Sequence, residues 1–578
     1  MDSTPSLATV PLRRLVLPRR RIDPWVVAAL VLAAILALLV LNPVLRLFAS
    51  SVADPKGNGW TLANYAYAFS RPRFIQAFWT SMELGAAVSA ICFVLAVPLA
   101  WLVSRTDMPA KATLRMLVLA SFVMPPYLGA IGWILLAGPN AGWLNIAWRF
   151  ATGADGAAFN IYSFGGLAFV IALYTFPFLF VFTTGALDVV SSEMEDAANI
   201  LGAGTWRTAR RVTLPLVLPA LLAGGIITFL ETISLVGTPA LIALPARINV
   251  VTTQLAQFFS PPIRAEVAAA YTMPLLLVTV ALYAIQARLI RRKGFVTLGG
   301  KGGARRMIRL GPWRWLAFAW GAGIVLLALI LPSLTLAQAA FAKAWGRGLH
   351  IDNLTLDNFA YLLFRHPGAR MSIVNSFTYA GAAATIAMLL AVGIAYVASR
   401  RLVRFGGALG ALCMVPFVIP GIVLAIAFYG AYAPPPFSLY GTGPILILAF
   451  TTRFLPVGYS SVSASLRSIN AEMEEAVRIL GGGRSLAIRR VLAPLMKRSL
   501  VGAWLLVFIP ASRELSTAMF LYGPNTRPMS IMLLDLSEEG NFELLAALGF
   551  LLLAATFAVV ALGMALVGRD FMLRRGER

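Results

Sequence analysis

Glu195-Asp196-Ala197-Ala198-Asn199-Ile200-Leu201-Gly202-Ala203-Gly204 returns 279 residues later, without a gap, as Glu474-Glu475-Ala476-Val477-Arg478-Ile479-Leu480-Gly481-Gly482-Gly483. The match runs on through Arg210-Arg211-Val212 over Arg489-Arg490-Val491, then Pro215-Leu216 over Pro494-Leu495. Upstream, Thr80-Ser81 resembles Asn375-Ser376 and Ser104-Arg105 resembles Ser399-Arg400, both at an offset of 295. The apolar stretch that follows carries Pro125 in one half and Pro420 in the other. The chain is therefore one unit written twice.

Working outward from the repeat, windows of about 20 residues, the length that crosses a bilayer as a helix, isolate twelve apolar segments. They fall at 25–48, 76–103, 114–137, 162–186, 216–244 and 267–290, then at 313–337, 373–398, 408–432, 442–465, 499–521 and 545–567. Gly237 and Pro239 are placed to break the fifth of these. No long alternation of period two occurs, so a barrel is disfavoured. With six segments in each half, the repeat is parallel, its axis along the membrane normal. An inverted repeat needs an odd number per half. The fold class expected is an all-α integral membrane protein of twelve transmembrane helices in two homologous six-helix halves. Its boundaries are 1–290 for the first half, 291–312 for a basic linker and 313–578 for the second half.

Composition agrees. Of 578 residues 59% are hydrophobic and 12% charged, and mean hydropathy is +0.80; a soluble domain carries about 25% charged residues. The net charge of +24 would suggest nucleic acid in a soluble protein, but its placement speaks against that partner. Of 48 Lys and Arg, 34 lie in seven clusters: the N-terminal tail from Arg13, 105–115, 206–211, 288–314, 400–404, 467–498 and the tail from Arg569. Each cluster abuts an apolar segment and alternates with basic-poor connections. By the positive-inside rule all seven face the cytoplasm, and with them both termini. The run 25–41 reads as a retained anchor rather than a cleaved signal. Cys92 and Cys413 each sit inside an apolar segment and read as buried small hydrophobes.

Each copy of the repeated stretch is a polar excursion between the fourth and fifth segments of its half. Met194, Ala197, Ala198 and Leu201 recur at helical spacing, and Met473, Ala476, Val477 and Leu480 repeat that face. Ser192 and Glu195 have capping-box spacing; Asn470 is the N-cap expected for the second copy. Gly202 and Gly481 stand where a left-handed stop is expected. Such a short amphipathic helix, outside the bilayer with nothing of its own to cover it, is a docking element.

The pattern Glu-Ala-Ala, three residues, Gly, nine residues, then Ile-x-Leu-Pro resembles the signature of bacterial binding-protein-dependent ABC importer permeases. Asp196-Ala197-Ala198 with Gly202 and Val212-Thr213-Leu214-Pro215 matches it, and Glu475-Ala476-Val477 with Gly481 and Val491-Leu492-Ala493-Pro494 matches more loosely. The resemblance extends over nearly the whole chain, in the fused double-permease form similar to iron(III) importers. Two further stretches are similar to that branch: Leu230-Glu231-Thr232 to Gly237-Thr238-Pro239, and Arg513-Glu514-Leu515-Ser516-Thr517 to Leu521-Tyr522-Gly523-Pro524. It implies coupling loops at about 188–215 and 467–494 seated on two copies of an ABC ATPase subunit, with Glu195, Asp196, Ala197, Ala198, Gly202 and Pro215, and Glu474, Glu475, Ala476, Gly481 and Pro494, as the coupling residues. It also implies a periplasmic solute-binding protein as partner and a multi-pass place in the bacterial inner membrane.

No G-x-x-x-x-G-K-[ST] loop occurs: Gly300-Lys301 has Phe295 at the first Gly position and Gly302 at the hydroxyl position. The chain is expected to hold no cofactor, with ATP and Mg on the partner ATPases, and to have no catalytic set and no metal site; His350 and His366 share one loop without a ligand motif. Charges inside the segments are few: Glu83, Glu231, Arg513 and Glu514, with Arg453 near a segment end. Each costs at least about 2.5–3.5 kcal/mol on insertion scales and needs a partner or water. Glu231 and Glu514, beside Thr232 and Ser516, are read as occupying similar positions in the fifth segments. They and Arg513 either line a passage for a cationic solute or brace the halves through an Arg513–Glu231 pair. Iron(III) is the solute expected; polyamine, thiosulfate and phosphonate are alternatives within the class. An ion-coupled secondary transporter is the rival, and an intramembrane enzyme would need a catalytic set at membrane depth.

Overall fold

The computed structural model describes residues 24–567 apart from 55, 56, 58, 191, 293–306 and 349. The first and last basic clusters therefore lie outside the described residues. The first half contributes α1 (Pro24–Ser51), α2 (Pro72–Arg105), α3 (Lys111–Ser121), α4 (Pro126–Ala137), α5 (Phe164–Val189), α6 (Ser192–Ile200), α7 (Thr205–Ser234), α8 (Val251–Phe258) and α9 (Ala265–Arg292). The second repeats the series as α10 (Gly311–Ala340), α11 (Pro367–Ser399), α12 (Gly406–Val418), α13 (Gly421–Tyr432), α14 (Gly443–Arg467), α15 (Glu472–Ile479), α16 (Arg484–Ser512), α17 (Met529–Glu538) and α18 (Phe542–Val567). Among the described residues only isolated β-bridges interrupt this all-helical chain.

Ten helices are long and apolar enough to cross a bilayer. The remaining two expected spans are not straight. The α3–α4 and α12–α13 pairs bend by 99° and 111°, just before Pro125-Pro126 and at Pro420-Gly421. A proline ring offers no N–H and pushes its predecessor out of the helical region. Proline also shapes helices that stay continuous. π turns at Ala37–Leu41, Ala209–Thr213, Leu326–Ile330 and Ile488–Leu492 run into Pro43, Pro215, Pro332 and Pro494. The bond that each proline cannot donate is absorbed there by a wider turn. Pro215 and Pro494 thus shape the start of α7 and α16. The expected break in the fifth segment is present: α7 ends at Ser234, and a separate short helix runs Gly237–Ile242.

The repeated residue pairs turn out to make repeated bonds. Ser81 on α2 accepts the Val251 N–H at the start of α8 at 2.9 Å, and Ser376 on α11 accepts the Met529 N–H at the start of α17 at 2.7 Å. In each case a buried serine satisfies one of the orphan donors of a helix start. Cys92 and Cys413 are buried and free; Cys92 Sγ lies 3.4 Å from the Thr175 hydroxyl.

The first helix of each half packs on the other half. α1 lies along α13 and α9, while α10 lies along α4 and α18. Thr335 of α10 donates to the Gly132 carbonyl of α4 at 3.2 Å. A Cβ on Gly132 would come within 2.9 Å of the Pro332 backbone, so this seam needs glycine, as close helix crossings in membranes do. The basic stretch between the halves is held at its end. Residues 307–310 are pinned, with Ile308 N–H donating to Arg105 O at 2.9 Å and Asp107 N–H to Ile308 O at 3.1 Å. The loop after α2 leaves backbone groups open, and the returning chain fills them.

Overpacking the seam tests this arrangement. Gly132→Val should cost about 1–3 kcal/mol and lower the thermal unfolding midpoint of the purified protein in detergent. An unchanged midpoint would mean that the seam is not tight.

Candidate functional site

The two expected docking helices, α6 and α15, lie at the end of the molecule that carries the described basic clusters. Both stop as the sequence suggested. Gly202 and Gly481 have φ of +80° and +82°, a conformation that only glycine adopts freely. The closing bonds run from Ala203 N–H to Ala198 O and from Gly482 N–H to Val477 O, at 3.0 and 2.9 Å. At the other end of α15, Asn470 Oδ1 accepts the Glu472 N–H at 3.2 Å. The capping expected of Ser192 falls on a side chain outside the described residues. Glu195 accepts from the Thr213 hydroxyl at 2.7 Å and pairs with Arg105 at 3.3 Å. Arg105 is almost fully buried, and a guanidinium taken out of water needs a paired carboxylate.

Glu474 behaves as Glu195 does. It is buried, accepts from Tyr396 Oη at 3.0 Å and from Arg400 Nε at 2.6 Å, and forms the ion pair with Arg400. The leading acid of each copy thus faces the protein's own second helix rather than outward. Its neighbour differs: Glu475 is exposed and Asp196 half-buried. The predicted apolar stripe is also redistributed. Ala198 and Val477 are half-buried, Ala197 and Ala476 exposed, and the apolar residues that stand clear are Ile200 and Leu201 at 86% and 87% exposure and Ile479 and Leu480 at the same two values. Periodicity selected Leu201 and Leu480 but passed over the two isoleucines, which sit beside them on the last turn. Their signal was the repeat itself.

A second cluster forms where the halves meet. Arg513 lies one residue past α16 and donates through Nη1 to the carbonyls of Phe122, at 3.0 Å, and Val123. Arg453, expected near a segment end, instead lies mid-way along α14 (Gly443–Arg467) and donates to Ile419 O at 2.6 Å. Those acceptors are the carbonyls left open by the two helix bends, so each bend is capped by an arginine of the second half. Glu514 accepts from the Thr517 N–H and hydroxyl at 2.9 and 3.0 Å, and its main-chain oxygen accepts from Ser530. Gly421, the first residue of α13, is pressed against this turn: a Cβ there would stand 3.2 Å from Glu514 Oε1.

Glu231 is half-buried on α7, within electrostatic range of Arg453, Glu514 and Arg513, yet forms no ion pair with Arg513. The expected brace is corrected accordingly: Arg513 braces the halves through backbone carbonyls. Nor are the two acids equivalent. The 279-residue offset sets Glu231 against Pro510 and Glu514 against Leu235. Thr232 is buried with its hydroxyl donating to Thr228 O at 2.8 Å; Ser516 is half-buried beside Gly421. Glu83 is exposed on α2. His366 caps α11, its Nδ1 accepting the Ala369 N–H at 3.1 Å.

Residues 65–294 match the family described as "Binding-protein-dependent transport system inner membrane component". Over 558 residues, 93% of this chain and 78% of the relative, the sequence is 25% identical to the ferric transport system permease protein FbpB of Actinobacillus pleuropneumoniae. A Haemophilus influenzae protein named for ferric transport, FbpB 1, is 25% identical over 530 residues, covering 90% of this chain and 82% of its own. The molybdenum transport system permease protein ModB of Escherichia coli is 28% identical over 168 residues, 27% of this chain and 67% of ModB.

Replacing the capping arginine separates its role from that of the nearby acid. Arg513→Leu leaves the Phe122 and Val123 carbonyls without this donor, at about 1–3 kcal/mol, and should lower the unfolding midpoint, whereas Glu231→Gln should not. Equal losses in the two variants would restore the Arg513–Glu231 brace.

Proposed function

We infer how this chain is driven and what it moves from the premise that it is a permease of the binding-protein-dependent ABC importer family, a multi-pass protein of the inner membrane. In this reading α6 and α15 are coupling helices, and each seats in one copy of an ABC ATPase subunit on the cytoplasmic side. The observation that carries it is the pair of apolar tips, Ile200-Leu201 and Ile479-Leu480, alike in sequence, position and exposure. Two equal tips on one end of a molecule call for two equal partners. A lone greasy turn would suit the headgroup layer as well, but this tip occurs twice and both helices end in exposed glycine turns.

ATP and Mg belong to those partners, and the chain itself does no chemistry. Residues 1–290 and 313–578 are its two permease halves, joined by 291–312. A periplasmic binding protein delivers the solute to the opposite end, and closure of the ATPases drives alternating access. Iron(III) is the solute favoured, on two grounds. The relatives similar along most of this chain are named for ferric transport. In the seam between the halves the two arginines are committed to carbonyls and Glu514 to its own turn, which leaves Glu231 as the carboxylate free to meet a cation. A molybdenum-type oxyanion, suggested by the similarity to ModB, would instead have to draw the arginines away from the bends.

Two experiments follow from this reading. Placing aspartate at both Ile479 and Leu480 removes two side chains whose burial is worth roughly 1.5–3 kcal/mol each. Binding of the ATPase subunit at that half should weaken about a hundredfold or more, and the same change at Ile200 and Leu201 should do likewise at the other. Undiminished co-purification of the ATPase in the fourfold variant would overturn the docking assignment. Glu231→Gln should reduce uptake of iron(III) by reconstituted importer; full uptake would remove Glu231 from the passage.

A further inference from the structure

The sequence repeat contains two pairs that docking does not use: Ser81 with Arg105, and Ser376 with Arg400. Both pairs are 24 residues apart, about 36 Å along a helix: Ser81 and Ser376 are the tenth residues of α2 and α11, Arg105 ends α2 and Arg400 directly follows α11. At the end near the docking helices, Arg105 holds Glu195 of α6 and donates to the carbonyls of Leu187 and Val190 at 2.9 and 3.1 Å. Arg400 holds Glu474 of α15, with Tyr396 on the same carboxylate. At the far end, Ser81 holds the first N–H of α8, and Ser376 that of α17.

Neither α2 nor α11 is joined directly through the chain to the docking helix of its half. α6 connects to α5 and α7, and α15 to α14 and α16. α2 packs along α5 and α7, and α11 along α14 and α16; the ion pair adds a direct polar tie between each of these helices and the docking helix itself. α2 remains one continuous helix through Pro98, and α11 has no interior proline, so a displacement at one end is delivered to the other. The bonds are sheltered: each ion pair has one buried partner, Arg105 in the first half and Glu474 in the second, and a buried serine holds a helix start at the other end.

We propose that α2 and α11 are transmission rods, latched to the docking helices by Arg105–Glu195 and Arg400–Glu474 and to α8 and α17 by Ser81 and Ser376. Through them the ATPase stroke moves the two short helices at the solute-entry end. The four residues are positioning residues: they touch neither solute nor nucleotide. This deepens the importer reading and rests on it.

The test uses the full chain with its ATPase subunits in membranes. Spin labels are placed at Ser260→Cys, just past α8, and Glu539→Cys, just past α17; both positions are exposed, whereas the native Cys92 and Cys413 are buried. Double electron–electron resonance then reads the label separation with and without vanadate-trapped nucleotide. The otherwise unchanged protein should show a shift of several ångström on trapping. Arg105→Gln with Arg400→Gln should lose most of that shift while nucleotide is still trapped. Ser81→Ala with Ser376→Ala, altered at the far end only, should lose it equally. Exchange of the pair, Arg400→Glu with Glu474→Arg, should restore the shift to a protein that carries wild-type Arg105, relative to Arg400→Gln alone. A wild-type shift in both the arginine and the serine variants overturns the rods. Failure of the unaltered chain to trap nucleotide or to bind the ATPase overturns the importer reading instead, so the two failures are told apart.

Discussion

Hydrocarbon offers a backbone no hydrogen-bond partner, and most of what is distinctive in this chain is a response to that constraint. Straight helices meet it from within. The interest lies where the helix cannot continue. At four positions a proline removes one donor and the preceding turn widens to a π turn, which keeps the helix continuous. At two positions the chain bends by about a right angle, and there the open carbonyls are met by arginine side chains. An arginine in a membrane span is usually read as part of a passage. Here Arg453 and Arg513 are first of all structural, because without them the bends would leave carbonyls bare.

The same constraint explains which features were legible from residues alone. Segment positions, the left-handed stops at Gly202 and Gly481, and the prolines at the bends are local consequences of residue type, so sequence reading located them. Ser81 and Ser376 were visible as a recurring pair, although only the structure shows what they bond. The Arg105–Glu195 and Arg400–Glu474 pairs were out of reach in another sense. Their members lie 90 and 74 residues apart, and helical periodicity says which residues share a face, not which face meets which neighbour. That is also why the exposed tip was assigned without Ile200 and Ile479. The likeness drawn between Glu231 and Glu514 failed for a simpler reason. Both are acids near the end of a fifth helix, but the register fixed by the prolines sets them four residues apart in the repeat.

Where the halves agree and where they differ is itself informative. The latch to the docking helix, the serine at the far end, the glycine stop and the exposed isoleucine-leucine tip occur in both. Toward the middle the equivalences lapse: Arg453 stands opposite Tyr174, Arg513 opposite Ser234, and Glu514 opposite Leu235 at the same offset. Even the latch differs in its auxiliary partner, which is Thr213 in the first half and Tyr396 in the second. On the docking reading proposed above, residues that face two identical ATPase subunits have reason to stay alike. Residues around one solute on the pseudo-symmetry axis do not, since a single site needs only one set of ligands.

Fusion of the halves into one chain permits that division of labour. In a dimer of identical subunits, any arginine that capped one bend would appear twice, and so would any acid facing the axis. Two copies of Glu231 and two of Arg513 would then crowd the same seam, with like charges at close range in a poorly screened setting. Here the second half supplies both capping arginines, the first half supplies the uncommitted carboxylate, and the four charges of the seam sum to zero. The crossed packing of α1 and α10 completes the arrangement, since each half is held by a helix of the other and neither bend is left facing lipid alone.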